Sequence, residues 1–160
     1  MRMKIGLLFA ACACVTATPA HAGLGDPIVL DEDWTLDIQA ATRLRYETVD
    51  QDNALGNADA QTLRARLGAQ AAHKGFKVLV EGEGTLALVD EFNDTIPGNG
   101  VEPFSVVADP ESLELNRAQI SWSDEGVTGT LGRQRVIMGN ARFVGNVGWR
   151  QNEQTFDAAR

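Results

Sequence analysis

WTLDIQAATRLRYET, residues 34–48, decides the fold. Trp34, Leu36, Ile38, Ala40, Thr42, Leu44, Tyr46 and Thr48 make one face of it. Thr35, Asp37, Gln39, Ala41, Arg43, Arg45 and Glu47 make the other. A period of two marks a β-strand with one apolar and one polar side. Strands of soluble proteins usually run about 5 or 6 residues, and this one is much longer. The step from Trp34 to Tyr46 covers about 40 Å along an extended chain, or roughly 28 Å when tilted near 45°. That matches the apolar band of a membrane, with an aromatic residue at each interface. A long edge strand of a soluble sandwich alternates in the same way, so the other segments have to choose.

They repeat the pattern. Leu63, Ala65, Leu67, Ala69 and Ala71 alternate with Arg64, Arg66, Gly68, Gln70 and Ala72. Beyond a tight turn at His73-Lys74-Gly75, Val78, Val80, Gly82, Gly84, Leu86 and Leu88 alternate with Leu79, Glu81, Glu83, Thr85 and Ala87. A run over 112–122 sets Ala118, Ile120 and Trp122 against Arg117, Gln119 and Ser121, although Leu113 and Leu115 fall on the other parity. A fifth run, 127–137, follows the turn Asp124-Glu125-Gly126 and carries Arg133 and Arg135 on one face. No segment shows a 3.6-residue apolar stripe. Long acidic loops at Asp50–Asp59 and 90–111 alternate with the two short turns, as in outer-membrane barrels, whose short turns are periplasmic.

The start of the chain supplies the compartment. Arg2 and Lys4, an apolar run from Ile5 to Thr18, and Ala20-His21-Ala22 before Gly23 read as a secretory signal. The apolar run is too short for a spanning helix, which needs about 20 residues. Cys12 and Cys14 leave with the signal, so the exported chain has no disulfide, thiolate nucleophile or cysteine metal site. It retains 12 basic and 22 acidic residues, a net charge of −10, and lacks a basic run. That is a poor match to nucleic acid. The domain reading is a signal peptide over 1–22, an N-terminal periplasmic segment over 23–33, and barrel strands over 34–160.

Charge on the polar faces comes in pairs. Across the 73–75 turn, Arg66 falls opposite Glu83, or opposite Glu81 if the turn is one residue tighter. Both registers keep the pair on one side of the sheet. Arg64 lies diagonal to the same carboxylates, and Arg43 and Arg45 extend the group. These charges either satisfy one another and brace a wall, or form an arginine ladder for anions, whose carboxylates a guanidinium fork matches. Catalysis finds no support. Glu81 and Glu83 beside arginines stay ionised, which a general acid cannot be. His73, the single histidine after residue 22, sits in a short turn. Asp50-x-Asp52-Asn53 lacks the glycine of a calcium loop, having Leu55 in its place. No cofactor or metal is expected.

The stretches LGRQR (131–135), RFVGN (142–146) and WRQNEQTFDA (149–158), with RARLGAQ (64–70) and the Glu81/Glu83 strand before them, resemble the N-terminal part of the alginate-export family of outer-membrane porins. The resemblance runs from about Trp34 to the last residue and is most specific over 131–158. It implies a monomeric barrel of about 18 strands, within the range of such barrels, whose arginine-lined constriction passes anionic polysaccharide. By motif, Arg133 and Arg135 carry over as lumen residues, and Arg142 and Arg150 as residues where the chain enters or leaves a loop.

The expected fold is therefore all-β: an antiparallel transmembrane barrel of the outer-membrane type, with five full strands and a sixth starting near Thr155. That is too few to close, since the smallest barrels need about eight, so the chain reads as a fragment. The expected function is a non-enzymatic channel in the bacterial outer membrane, in contact with lipid and lipopolysaccharide. It passes anionic saccharides or other small anions. The candidate lining residues are Arg43, Arg45, Arg64, Arg66, Glu81, Glu83, Arg117, Arg133, Arg135, Arg142 and Arg150. The alternatives are a small non-conducting outer-membrane barrel for anchoring or adhesion, and a secreted sandwich that binds sugars.

Overall fold

The computed structural model describes residues 22–23, 26–51, 55–96, 104–146 and 148–160. All but Ala22 of the expected signal peptide lies outside them. The described chain is all-β and contains no helix. Its strands are β1 (Ala22–Gly23), β2 (Ile28–Asp31), β3 (Trp34–Val49), β4 (Ala58–His73), β5 (Phe76–Glu91), β6 (Ser112–Asp124), β7 (Val127–Gln134) and β8 (Phe156–Ala159). They build one antiparallel sheet, each of β3 to β7 pairing with the next in sequence, and β1 and β2 both pairing with the outer edge of β3. The sheet is open: among the described residues β8 does not pair with β3.

Alternation in the sequence becomes a division between faces. Trp34, Leu44, Tyr46, Leu67, Val78, Val80, Leu86, Leu88, Ile120 and Leu131 stand exposed on one side. Arg45, Thr62, Arg64, Glu81, Glu83, Thr85, Asn116 and Gln134 are buried on the other. The usual order of a soluble sheet is inverted. Register also gathers the aromatic residues. Trp34 pairs with His73, His73 with Phe76, and Phe76 with Trp122, which makes a row across four strands on the apolar face at the short-turn end. Trp34 and His73 stack with centroids 4.5 Å apart.

The turn between β4 and β5 fixes the register that the sequence leaves open. His73 pairs with Phe76 around Lys74-Gly75, so Arg66 meets Glu83, not Glu81. In the second short turn Glu125 and Gly126 both have positive φ, 45° and 85°, the conformation of a tight hairpin turn that matches strand twist. The change of parity in β6 is a β-bulge. Glu81 pairs with Arg117 and Gly82 with Leu115, leaving Asn116 as the extra residue. Leu113 and Leu115 before the bulge therefore share the apolar face with Ala118, Ile120 and Trp122 after it.

Several boundaries differ from expectation. β4 begins at Ala58, inside the stretch read as loop, because Ala58 and Ala60 pack on Phe92 and Val107 from the next long loop. β7 stops at Gln134 instead of 137. Within the segment read as periplasmic, Ile28–Asp31 folds back as β2 on the first residues of β3.

Candidate functional site

The polar face of β3 to β6 is where the charged residues converge. Arg43 lies directly opposite Arg64, and Arg66 opposite Glu83. Two like charges facing each other across a strand pair are destabilising unless something else meets them. The wall itself offers nothing at that row. The compensation comes from residues 148–151 of the loop between β7 and β8. The Arg43 guanidinium donates to the carbonyl oxygens of Gly148 (3.0 Å), Trp149 (3.1 Å) and Arg150 (3.1 Å). Arg64 donates to that of Gln151 (3.1 Å). Four consecutive carbonyls are thus turned onto one arginine pair.

Gln151 locks this contact and is fully buried. Its Nε2 donates to the carbonyl oxygen and the hydroxyl of Thr62, both at 2.9 Å, and its backbone N–H to Asp109 Oδ1 at 3.0 Å. Asp109 arrives from the other long loop and also takes Arg45, which pairs with Glu47 on its own strand. The loops are themselves joined. Ser105 N–H of the β5–β6 loop donates to Gly56 oxygen of the β3–β4 loop (2.8 Å), and the β5–β6 loop closes on itself through Val107 N–H to Asn93 oxygen (3.0 Å).

Lower on the same face the wall supplies its own counter-charges. Glu81 accepts from Asn116 Nδ2 (2.7 Å) and Arg117 Nε (3.0 Å), so the bulge aims two donors at one carboxylate. Arg66 pairs with Glu83, and Arg135 approaches Glu81 at 3.6 Å. One further carboxylate, Glu153, comes from the β7–β8 loop. Its Oε2 accepts from Asn116 Nδ2 (3.0 Å) and pairs with Arg66 Nη2 (3.3 Å) and Arg135, while Oε1 accepts from Asn146. A cleft of about 460 Å³ opens onto this carboxylate, lined in part by Glu114, Asn146, Arg150 and Asn152.

Of the predicted lining residues, Arg43, Arg45, Arg64, Arg66, Glu81, Glu83, Arg117 and Arg135 meet on this face. Arg150 reaches it with the loop, its guanidinium 5.4 Å from the Trp149 ring centroid, with Arg45 at 5.3 Å from the same ring. Arg142 is exposed in the turn before it. Arg133 is a correction. It pairs with Ala118 on the apolar side and binds Asp157 of β8 at 3.0 Å through both Nε and Nη2. It parts from Arg135 because β7 ends at Gln134, after which strand parity no longer dictates direction.

Sequence reasoning missed Asp109, Asn116, Gln151 and Glu153. Asn116 had a signal, the parity change between Leu115 and Ala118. The other three sit on loops, where no period exists to assign a side. Among the described residues there is no cluster of His, Cys, Asp and Glu that could hold a metal ion. Among the described residues no helix is long and apolar enough to cross a membrane, which says nothing of crossing by strands. No protein-family model, curated protein or solved structure matches the chain. What defines it is its class: an all-β chain with one open antiparallel sheet, apolar outside and charged beneath its loops.

Proposed function

We propose that the chain forms part of the wall of a diffusion channel in the bacterial outer membrane, reached through its N-terminal signal. Its polar face lines a passage for anionic solutes, anionic saccharides among them. The observation that carries this reading is the inversion of the faces. Membrane-length strands expose Leu, Val, Ile and Trp and bury Arg, Glu, Thr and Asn. An apolar face of this extent needs a cover, and hydrocarbon is the cover that suits it, with Trp34, Phe76 and Trp122 forming the interfacial row. Open sheet edges are costly in lipid, so in this reading further strands complete the wall. The alginate-export-like blocks support the same assignment, and the block at 149–158 includes the loop residues that dock on the arginines.

Three tryptophans test it, because the sequence has no others. In variants retaining one tryptophan each, brominated lipid chains should quench Trp34 and Trp122. Trp149, packed against Arg45 on the polar side, should respond to aqueous iodide instead. A chain that stays soluble and monodisperse without detergent, or a Trp34 and Trp122 blind to brominated lipid, rejects the proposal.

The loops favour a second reading, a closed envelope barrel that does not conduct, because Gln151, Asp109 and Glu153 fill the charged face. Planar-bilayer recordings separate the two. The channel reading requires discrete conductance steps, with an anion preference that weakens when Arg43 or Arg64 is neutralised.

A further inference from the structure

The Glu153 carboxylate differs from its neighbours in how it reaches the wall. Glu81 and Glu83 are strand residues, fixed in place by β5. Glu153 is carried in by a loop, yet it is almost fully buried, with a side chain only 4% exposed. Asn146 of its own loop meets Oε1, but the partners of Oε2 come from the sheet: Arg66 on β4, Asn116 at the bulge of β6, and Arg135 just past β7. Two guanidiniums and one amide, from β4, from just past β7 and from β6, converge on one oxygen. That is the geometry of a carboxylate receptor, and the 460 Å³ cleft reaches the Glu153 carboxylate that covers it.

We infer that Arg66, Asn116 and Arg135 form a carboxylate-binding site on the wall, and that Glu153 occupies it as a tethered stand-in for an anionic solute. The inference deepens the channel reading and rests on it for its physiological meaning. Binding itself does not depend on conduction. The solute is a carboxylate, free as a small organic acid or carried on an acidic sugar. Glu114 faces the same cleft and lowers the affinity for any incoming anion. A competitor on a short tether acts at a millimolar or higher effective concentration, so its removal should strengthen binding of a free carboxylate by at least about tenfold.

The test is titration calorimetry on the whole protein in detergent, with acetate and glucuronate as separate ligands. Glu153→Ala should bind acetate saturably, and at least about tenfold more tightly than the unaltered protein. Acetamide should not bind, and Arg135→Gln in the same background should abolish the signal. Tighter binding of glucuronate than acetate assigns the site to acidic sugars; the reverse assigns it to small acids. Should Glu153→Ala not fold alone, acetate present during refolding restores the folded gel band. An alanine variant that folds but binds acetate no better than the unaltered protein overturns the site. So does one that acetate fails to restore while Glu153→Gln folds normally. Absence of conductance in bilayers, with acetate binding intact, rejects the channel reading and leaves the site standing.

Discussion

Gln151→Ala is the sharpest probe of the docked loop. The side chain makes two bonds of 2.9 Å to Thr62, one to its carbonyl oxygen and one to its hydroxyl, in a position with no solvent exposure. Truncation removes both, at about 1 kcal/mol each, and leaves Thr62 polar atoms unsatisfied under the loop, at a further cost of about 1–3 kcal/mol. Where water enters the vacated space the lower figure holds. A loss of about 3–5 kcal/mol in docking multiplies the undocked population roughly 100- to 4,000-fold, at tenfold for each 1.4 kcal/mol. Trypsin reads that population. Arg150 lies inside the docked run, its carbonyl held by Arg43, whereas Arg142 is exposed nearby. When reclosing is faster than cutting, cleavage follows the open population. Cleavage after Arg150 in Gln151→Ala should therefore accelerate by that factor while cleavage after Arg142 stays constant. Thr62→Val, which removes one partner and keeps the shape, should give a smaller increase. Equal rates after Arg150 in the variant and the unaltered protein refute the idea that Gln151 holds the loop.

Two further substitutions test the wall. Glu81→Gln leaves Arg117 and Arg135 without their shared carboxylate in a buried cluster, which should lower stability by about 3–5 kcal/mol. Urea unfolding in detergent, followed by tryptophan fluorescence, measures this, and a loss below about 1 kcal/mol would show that water already screens the cluster. Gly132 has φ of 116°, and a Cβ built there would stand 2.3 Å from the Ala118 carbonyl oxygen. Gly132→Ala should cost about 1–3 kcal/mol from backbone strain alone and more from the clash. Gly129→Ala, which meets nothing within 4 Å, should unfold at the same urea concentration as the unaltered protein.

The strands were legible because their signal is local and redundant. Any few residues of 34–48 or 78–88 give the period, and parity alone puts Arg66 and Glu83 on the same side whatever the turn does. The exceptions occur where the period breaks. The bulge at Asn116 reverses parity within β6 and makes its first half unreadable as a simple strand. At Gln134 the sheet releases β7, and the next residue, Arg135, turns to the polar side while Arg133 remains on the apolar side with Asp157. A spacing of two means a common face only while the strand lasts.

The row formed by Arg43 and Arg64 shows why the site could not be read from the strands alone. A wall designed to be complete in itself would place a carboxylate opposite each arginine, as Glu83 opposes Arg66. At this row it places a second arginine, and the pair becomes tolerable when carbonyls 148–151 and the Gln151–Thr62 bonds arrive from the loop. The charge displayed on this face is therefore set jointly by sheet and loop, and in the proposed channel it is the charge a solute would meet. With the loop docked, Arg43 and Arg64 are spent on backbone oxygens, and Arg66 and Arg135 on Glu153. With it undocked, the same four guanidiniums stand uncovered on the polar face, with Glu83 and Glu81 as their remaining counter-charges. An anion preference that changed with the state of the loop, while the strands stayed fixed, would follow directly from that arrangement. It would place selectivity in residues that carry no periodic signal at all.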